Sequence, residues 1–137
     1  MNFKSQYFYN FLLVLLTSGG FSAAIGQEEI KFTLEQVEKG EQIYKATCQV
    51  CHGNRLSNGQ FGTPLKGRYF QRNWAGRSLG ELVKHTFEEM PPDNVESMSV
   101  AEYGHVVSFI LQANGISASE TEMGDNLGAL NEIPLPW

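Results

Sequence analysis

Cys48-Gln49-Val50-Cys51-His52 places two thiols and an imidazole within five residues, and the chain has no other cysteine. That spacing is the one through which a c-type haem is attached. Each thiol forms a thioether with a haem vinyl group, and the adjacent imidazole is left to bind the iron on one face. Two other chemistries also use a Cys-x-x-Cys pair. A thioredoxin-like dithiol sits in a βαβ context, whereas here the pair closes a helical pattern and runs directly into His52. A structural zinc site takes four protein ligands, and the other two histidines, His85 and His105, lack finger-like spacing. Haem attachment is therefore the reading. What occupies the opposite face of the iron then separates an electron carrier from a haem enzyme or gas binder.

A soft thioether suits haem iron and raises its reduction potential relative to a second imidazole. The candidates are Met90, Met98 and Met123, with His85 and His105 as harder alternatives. Met90 is favoured because it is followed by Pro91 and Pro92. Proline disfavours the helical region for the residue before it, and two prolines reduce the freedom of the unfolded loop. The thioether therefore projects from a partly pre-organised segment. Met98 stands one residue before an N-cap and reads as a packing residue, while Met123 lies in an acidic tail. His85 reads as solvent-facing or hydrogen-bonded, and His105 faces away from the apolar stripe of its helix.

Three capping boxes announce the elements that must position these groups. Thr33-Leu34-Glu35-Gln36 opens a helix whose apolar positions Val37, Ile43, Tyr44 and Cys48 lead into the haem motif. Gly40 costs this helix about 1 kcal/mol against alanine, and a close backbone approach would explain it. Ser78-Leu79-Gly80-Glu81 opens a second helix, striped by Leu79, Leu82, Val83 and Phe87 and stopped at Met90-Pro91-Pro92. Ser99-Val100-Ala101-Glu102 opens the most regular one, with Tyr103, Val106, Val107, Ile110 and Leu111 on one face and Asn114-Gly115 as its C-cap. Residues 53 to 77 read as glycine- and proline-punctuated loop with one short helical turn. No alternating strand is present. The fold class is all-α: three main helices plus long loops wrapped on a covalently bound haem, which supplies the apolar surface a small domain needs.

Lys4 is the only charge among the first 27 residues, Phe11 to Leu16 is unbroken apolar sequence, and Ser22, Ala23, Ala24 and Gly26 follow. This is the pattern of a cleaved secretory signal over residues 1–26. The 15 residues from Phe11 to Ile25 fall short of the roughly 20 needed to span a membrane, so no span is expected after cleavage. Export to the periplasm agrees with haem attachment, which occurs outside the cytoplasm. The expected organisation is a signal at 1–26, one domain at 27–115 and an acidic extended tail at 116–137. A net charge of −5 disfavours nucleic acid as a partner and suits a partner with a basic docking face.

The Cys48-x-x-Cys51-His52 motif, Gly62-Thr63-Pro64-Leu65-Lys66-Gly67, Met90-Pro91-Pro92 and the final helix from Tyr103 to Asn114 together resemble a class I cytochrome c over residues 33 to 115. Trp74-Ala75-Gly76-Arg77-Ser78-Leu79, with Met90-Pro91-Pro92, Glu102-Tyr103 and the Ile110-to-Gly115 stretch, is similar to small monohaem cytochromes associated with bacterial PQQ-dependent dehydrogenases. The resemblance implies one haem c per chain, with His52 as proximal and Met90 as distal ligand. It implies that the Pro64 carbonyl accepts a hydrogen bond from the His52 ring, the usual orienter of an iron-bound imidazole. It further implies that Leu65 packs on the histidine side, that Trp74 lies near a propionate and Leu79 against the porphyrin, and that Gly40 and Tyr44 meet Phe109 where the first and last helices cross. The implied function is a periplasmic carrier of single electrons, not an enzyme, with a PQQ-dependent dehydrogenase as donor or complex partner and a terminal oxidase or other cytochrome as acceptor. The alternative is a c-type haem enzyme, or a sensor of peroxide, NO or CO, with an open distal site.

Overall fold

The computed structural model describes residues 29–137; the segment 1–26 read as a signal lies outside them. Six α-helices follow in chain order: α1 (Leu34–Ile43), α2 (Gln49–His52), α3 (Arg68–Trp74), α4 (Leu79–Glu89), α5 (Val100–Ala113) and α6 (Leu127–Asn131). A π-helical stretch, Tyr44–Cys48, joins α1 to α2. Among the described residues there is no strand, only an isolated bridge between Ser78 and Pro134. The all-α expectation therefore holds. The main helices α1, α4 and α5 begin at the three capping boxes, each with both reciprocal hydrogen bonds formed.

Burial explains why those helices meet. α5 hides Tyr103, Val106, Val107, Ile110 and Leu111, α4 hides Leu79, Leu82 and Val83, and α1 hides Val37. α5 packs on both α1 and α4. Where α1 crosses α5, a Cβ at Gly40 would sit inside the carbonyl group of His105. The helix-weakening glycine is thus what allows the two backbones to touch. One turn on, Tyr44 and Phe109 meet with ring centres 5.3 Å apart.

Three features differ from the expectations. The short helical turn expected in the loop between the first and second main helices is a seven-residue helix, α3, with Phe70 and Trp74 buried on one side; a two-residue apolar stripe gives too short a period to fix its length or place. The helix leading into the haem motif widens into a π turn, an irregularity that clusters at functional sites. Residues 116–137 are not simply extended. They carry α6 and bury Met123, Leu130, Ile133 and Leu135, because these apolar residues are spaced among the charged ones. The tail is fastened in its middle and near its end. Gln36 donates from Nε2 to the Met123 carbonyl and accepts the Met123 N–H on Oε1. Farther on, the Leu79 N–H donates to the Ile133 carbonyl and the Leu135 N–H to the Arg77 carbonyl.

Candidate cofactor site

The π turn, α2, α3, α4 and α5 enclose a cavity of about 430 Å³, within the size range of cofactor pockets. Cys48, Cys51 and His52 form one side, and Met90, Pro91 and Pro92 also line it, with Leu82, Thr86, Val106 and Ile110 contributing from α4 and α5. Pro64, Leu65, Phe70 and Trp74 complete much of the apolar wall. Leu82, Val106 and Ile110 belong to the helix stripes that their spacing predicts. A stripe at helical spacing does not tell a wall against protein from a wall against a cofactor.

The His52 ring is held from two directions. Its Nδ1 donates to the Thr63 carbonyl at 2.8 Å, which leaves Nε2 with a free lone pair. A Cβ on Gly62 would lie 2.5 Å from Nδ1, so the backbone there can lie against the imidazole only as glycine. The loop carrying both residues is tied down by the Gly62 N–H donating to the Cys51 carbonyl at 2.9 Å and the Leu65 N–H donating to the Leu56 carbonyl at 2.6 Å. The acceptor for His52 is thus the Thr63 carbonyl and not that of Pro64, one residue later. Pro64 instead lines the cavity. Backbone carbonyls carry no side-chain signature, so sequence could locate this loop but not which of its carbonyls turns inward.

Of the five candidates for a second iron ligand, Met90 and His85 line the cavity. Met90 is the C-cap of α4 with extended backbone (φ −126°, ψ 141°), as its position before Pro91 requires. Its N–H donates to the Thr86 carbonyl at 3.2 Å, and its carbonyl accepts from the Tyr103 hydroxyl at 2.6 Å. Its helical stripe marks Tyr103 only as a core residue; a stripe position does not reveal what a phenol hydroxyl reaches. His85 is exposed and stands edge-on to Trp74, ring centres 5.5 Å apart. Met123, part of the tail, is buried beside Gly104, and neither it nor Met98 nor His105 lines the cavity.

Trp74 lies on the cavity wall, 7% exposed, with the Arg77 guanidinium carbon 4.2 Å from its ring centre. Leu79 is displaced from its expected role. It is fully buried at the start of α4, where its N–H bonds the tail, and it does not line the cavity. It shares a helix face with Leu82 and Thr86, three and seven residues on, but stands a turn before them, where the tail and not the cavity covers it.

The donor set fits a tethered haem better than its rivals. Both thiols are free and partly buried at the cavity. Burial, helped by the neighbouring Cys51, pushes the Cys48 thiol up to about 11, opposite to the depressed values of redox-active dithiol pairs. Among the described residues no three His, Cys, Asp or Glu side chains converge to hold a metal ion, which does not suit zinc. Tyr44, pushed up to about 12 by burial and then by Cys48, keeps its proton and donates it to the Gly53 carbonyl at 2.6 Å. Among the described residues no buried side-chain nitrogen or oxygen lacks a partner.

No curated protein and no solved structure matches the chain. A family model described as cytochrome c oxidase, cbb3-type, subunit III matches residues 35–110, a span running from α1 to α5 and including Cys48, Cys51, His52 and Met90. Its cytochrome domain agrees with the all-α fold, implies a covalently bound haem c, and supports electron transfer as the domain's role. With more than half its length covered by that match, the chain belongs to the family of cytochrome c oxidase, cbb3-type, subunit III, as a class I-like cytochrome c domain.

Proposed function

We propose that the protein is an exported monohaem carrier that moves single electrons between a dehydrogenase and the respiratory chain. The observation that supports this most directly is that His52 and Met90, the hard and soft candidate ligands, line the same cavity. A bound haem c supplies a one-electron couple between Fe(II) and Fe(III). Cys48 and Cys51 would tether it, His52 would offer Nε2 as proximal ligand, and Met90 would offer its sulfur as distal ligand. The remaining residues hold those donors still. Thr63 and Gly62 fix the imidazole, while Thr86 and Tyr103 fix the Met90 backbone. If His52 and Met90 both held the iron, no place would remain for a substrate, which would suit electron transfer without bond chemistry.

Export to the periplasm rests on the pattern of residues 1–26. Among the described residues no helix is long and apolar enough to cross a membrane. An oxidase as electron acceptor is consistent with the family's description, whereas a PQQ-dependent dehydrogenase as donor rests on the resemblance of residues 74–79, 90–92, 102–103 and 110–115 alone. Met90→Ala tests the reading. In the ferric protein the weak red charge-transfer absorption of an iron–thioether bond should be present and should vanish in the variant, and the ferrous variant should gain CO binding that the parent lacks. Ready CO binding by the parent would favour the enzyme or sensor with an open distal site.

A further inference from the structure

We propose that Asn114 is a positioning residue for the proximal ligand: its side-chain amide clamps the loop whose Thr63 carbonyl orients the His52 ring. The proposal rests on the reading of His52 as an iron ligand and deepens it. It names a residue at the end of α5 that does not itself line the cavity.

In the sequence Asn114 reads as half of a helix stop, Asn114-Gly115. Asparagine at a helix end is ordinarily favoured for its tolerance of the left-handed region. Asn114 does not use that tolerance. Its φ is −95° and its ψ 10°, and it is Gly115 that takes the positive φ, 93°. The last carbonyls of α5 are met by backbone N–H groups. That of Asn114 donates to Ile110 and Leu111, that of Gly115 to Gln112, and that of Ile116 to Leu111. Neither the backbone shape nor the helix end calls for an amide side chain at this position.

The amide instead reaches 47 and 49 residues back along the chain. Its Oδ1 accepts the Gly67 N–H at 2.9 Å, and its Nδ2 donates to the Leu65 and Ile110 carbonyls, each at 2.9 Å. Those partners fix which way round the amide lies, since an N–H bonds only the oxygen and a carbonyl only the nitrogen. Leu65 is thereby held at both polar groups, its own N–H donating to the Leu56 carbonyl at 2.6 Å. Thr63 stands two residues before it, and the step between has little freedom. Pro64 has a fixed φ and confines Thr63 to extended backbone. On the other side the Gly62 N–H holds the Cys51 carbonyl. The Thr63 carbonyl therefore hangs between two anchors, and Asn114 supplies the side chain of one. Thr63 is itself exposed, so a slackened loop would let water compete for the His52 Nδ1–H. α5 suits the task, because it buries Val106, Val107 and Ile110 and packs on both α1 and α4.

An imidazole that donates from Nδ1 is a more basic ligand, which favours Fe(III), so loosening the clamp should raise the reduction potential. The test uses the holoprotein with two variants. Asn114→Ala removes all three bonds. Asn114→Asp keeps the side-chain shape and the oxygen for Gly67, but sets a carboxylate against two carbonyls, and it serves if the alanine variant fails to fold. Gly115→Ala is the control. It strains the same helix end at positive φ, its methyl meets nothing within 4 Å, and it leaves the amide in place. In the ferrous protein, solvent exchange of the His52 Nδ1 proton, followed by NMR, should quicken roughly tenfold or more in both Asn114 variants relative to the control. Their reduction potentials should rise above the control's. A residue that only stabilised the end of α5 would lower the urea midpoint in all three variants alike and move neither signal. Exchange at the control's rate, or a potential that stays or falls, overturns the proposal. A parent whose ferric His52 ring resonances lack the large shift that bound iron imposes overturns the ligand reading itself, and the clamp then has no proximal ligand to serve.

Discussion

Met90 is positioned by a residue thirteen places away in the chain. The Tyr103 hydroxyl donates to the Met90 carbonyl at 2.6 Å, and the Tyr103 ring, 1% exposed, is braced edge-on by Phe87 at 5.6 Å. The interaction has a counterpart at His52, where the Thr63 carbonyl accepts from Nδ1. In both cases a backbone carbonyl is the point of attachment. Tyr103→Phe retains the ring, its contact with Phe87 and the helix, and removes a single donor. A hydrogen bond of this kind contributes about 1 kcal/mol net, so global stability should fall by roughly that amount. The informative readout is local: on heating the ferric variant, the iron–thioether absorption should disappear well before far-ultraviolet circular dichroism reports helix loss. If both signals shift together by the same few degrees, Tyr103 is a packing residue and nothing more.

At the scale of elements, the crossing of α1 and α5 sets the frame on which the haem motif hangs. α1 runs through the π turn straight to Cys48, so any change in its angle against α5 moves the cysteines. Gly40→Ala would raise the helix propensity of α1 by about 1 kcal/mol while driving a methyl group into the His105 backbone, which cannot rotate away as a side chain could. Overpacking of this type costs about 1–3 kcal/mol or more, so the clash should win and the urea midpoint should drop; a variant more stable than the parent would refute the close approach. The reason Gly40 was suspect from sequence is the same reason α1, α4 and α5 were: capping boxes and stripes are local signals. Of α3 only a short helical turn somewhere in residues 53 to 77 was legible, because seven residues with two buried aromatics give too little period to fix its place and length, and the π turn was not, because a single widened turn leaves no spacing signature. The site divided along the same line. Cys48, Cys51, His52 and Met90 carry their chemistry in their side chains, whereas Thr63 acts through its backbone, and Leu79 needed the orientation of α4 to be placed.

The molecule as a whole is closed by its C-terminal segment, which composition alone presented as an acidic appendage. Net charge measures the average of residues 116–137, but folding answers to where the apolar ones fall. Met123, Leu130, Ile133 and Leu135 are 5–8% exposed, and Trp137 meets Phe70, a cavity-wall residue, with ring centres 5.6 Å apart. The tail therefore supports the cavity wall from behind while Gln36 clasps its middle to α1. Each of the four buried side chains contributes about 1.5–3 kcal/mol relative to exposure, an upper estimate because unfolded chains are already partly collapsed. Domains are stable by only about 5–15 kcal/mol, so deletion of residues 117–137 should bring the fold close to its limit. It also strips the Gln36 amide of two partners inside the protein, where an unmade hydrogen bond costs about 1–3 kcal/mol. The deletion should lower the urea midpoint steeply and also the slope of the transition, since that slope follows the surface exposed on unfolding. The two effects separate the explanations: a lower midpoint with an unchanged slope would mean that the segment acts on strain or charge, and an unchanged midpoint would mean that its burial contributes nothing to the fold.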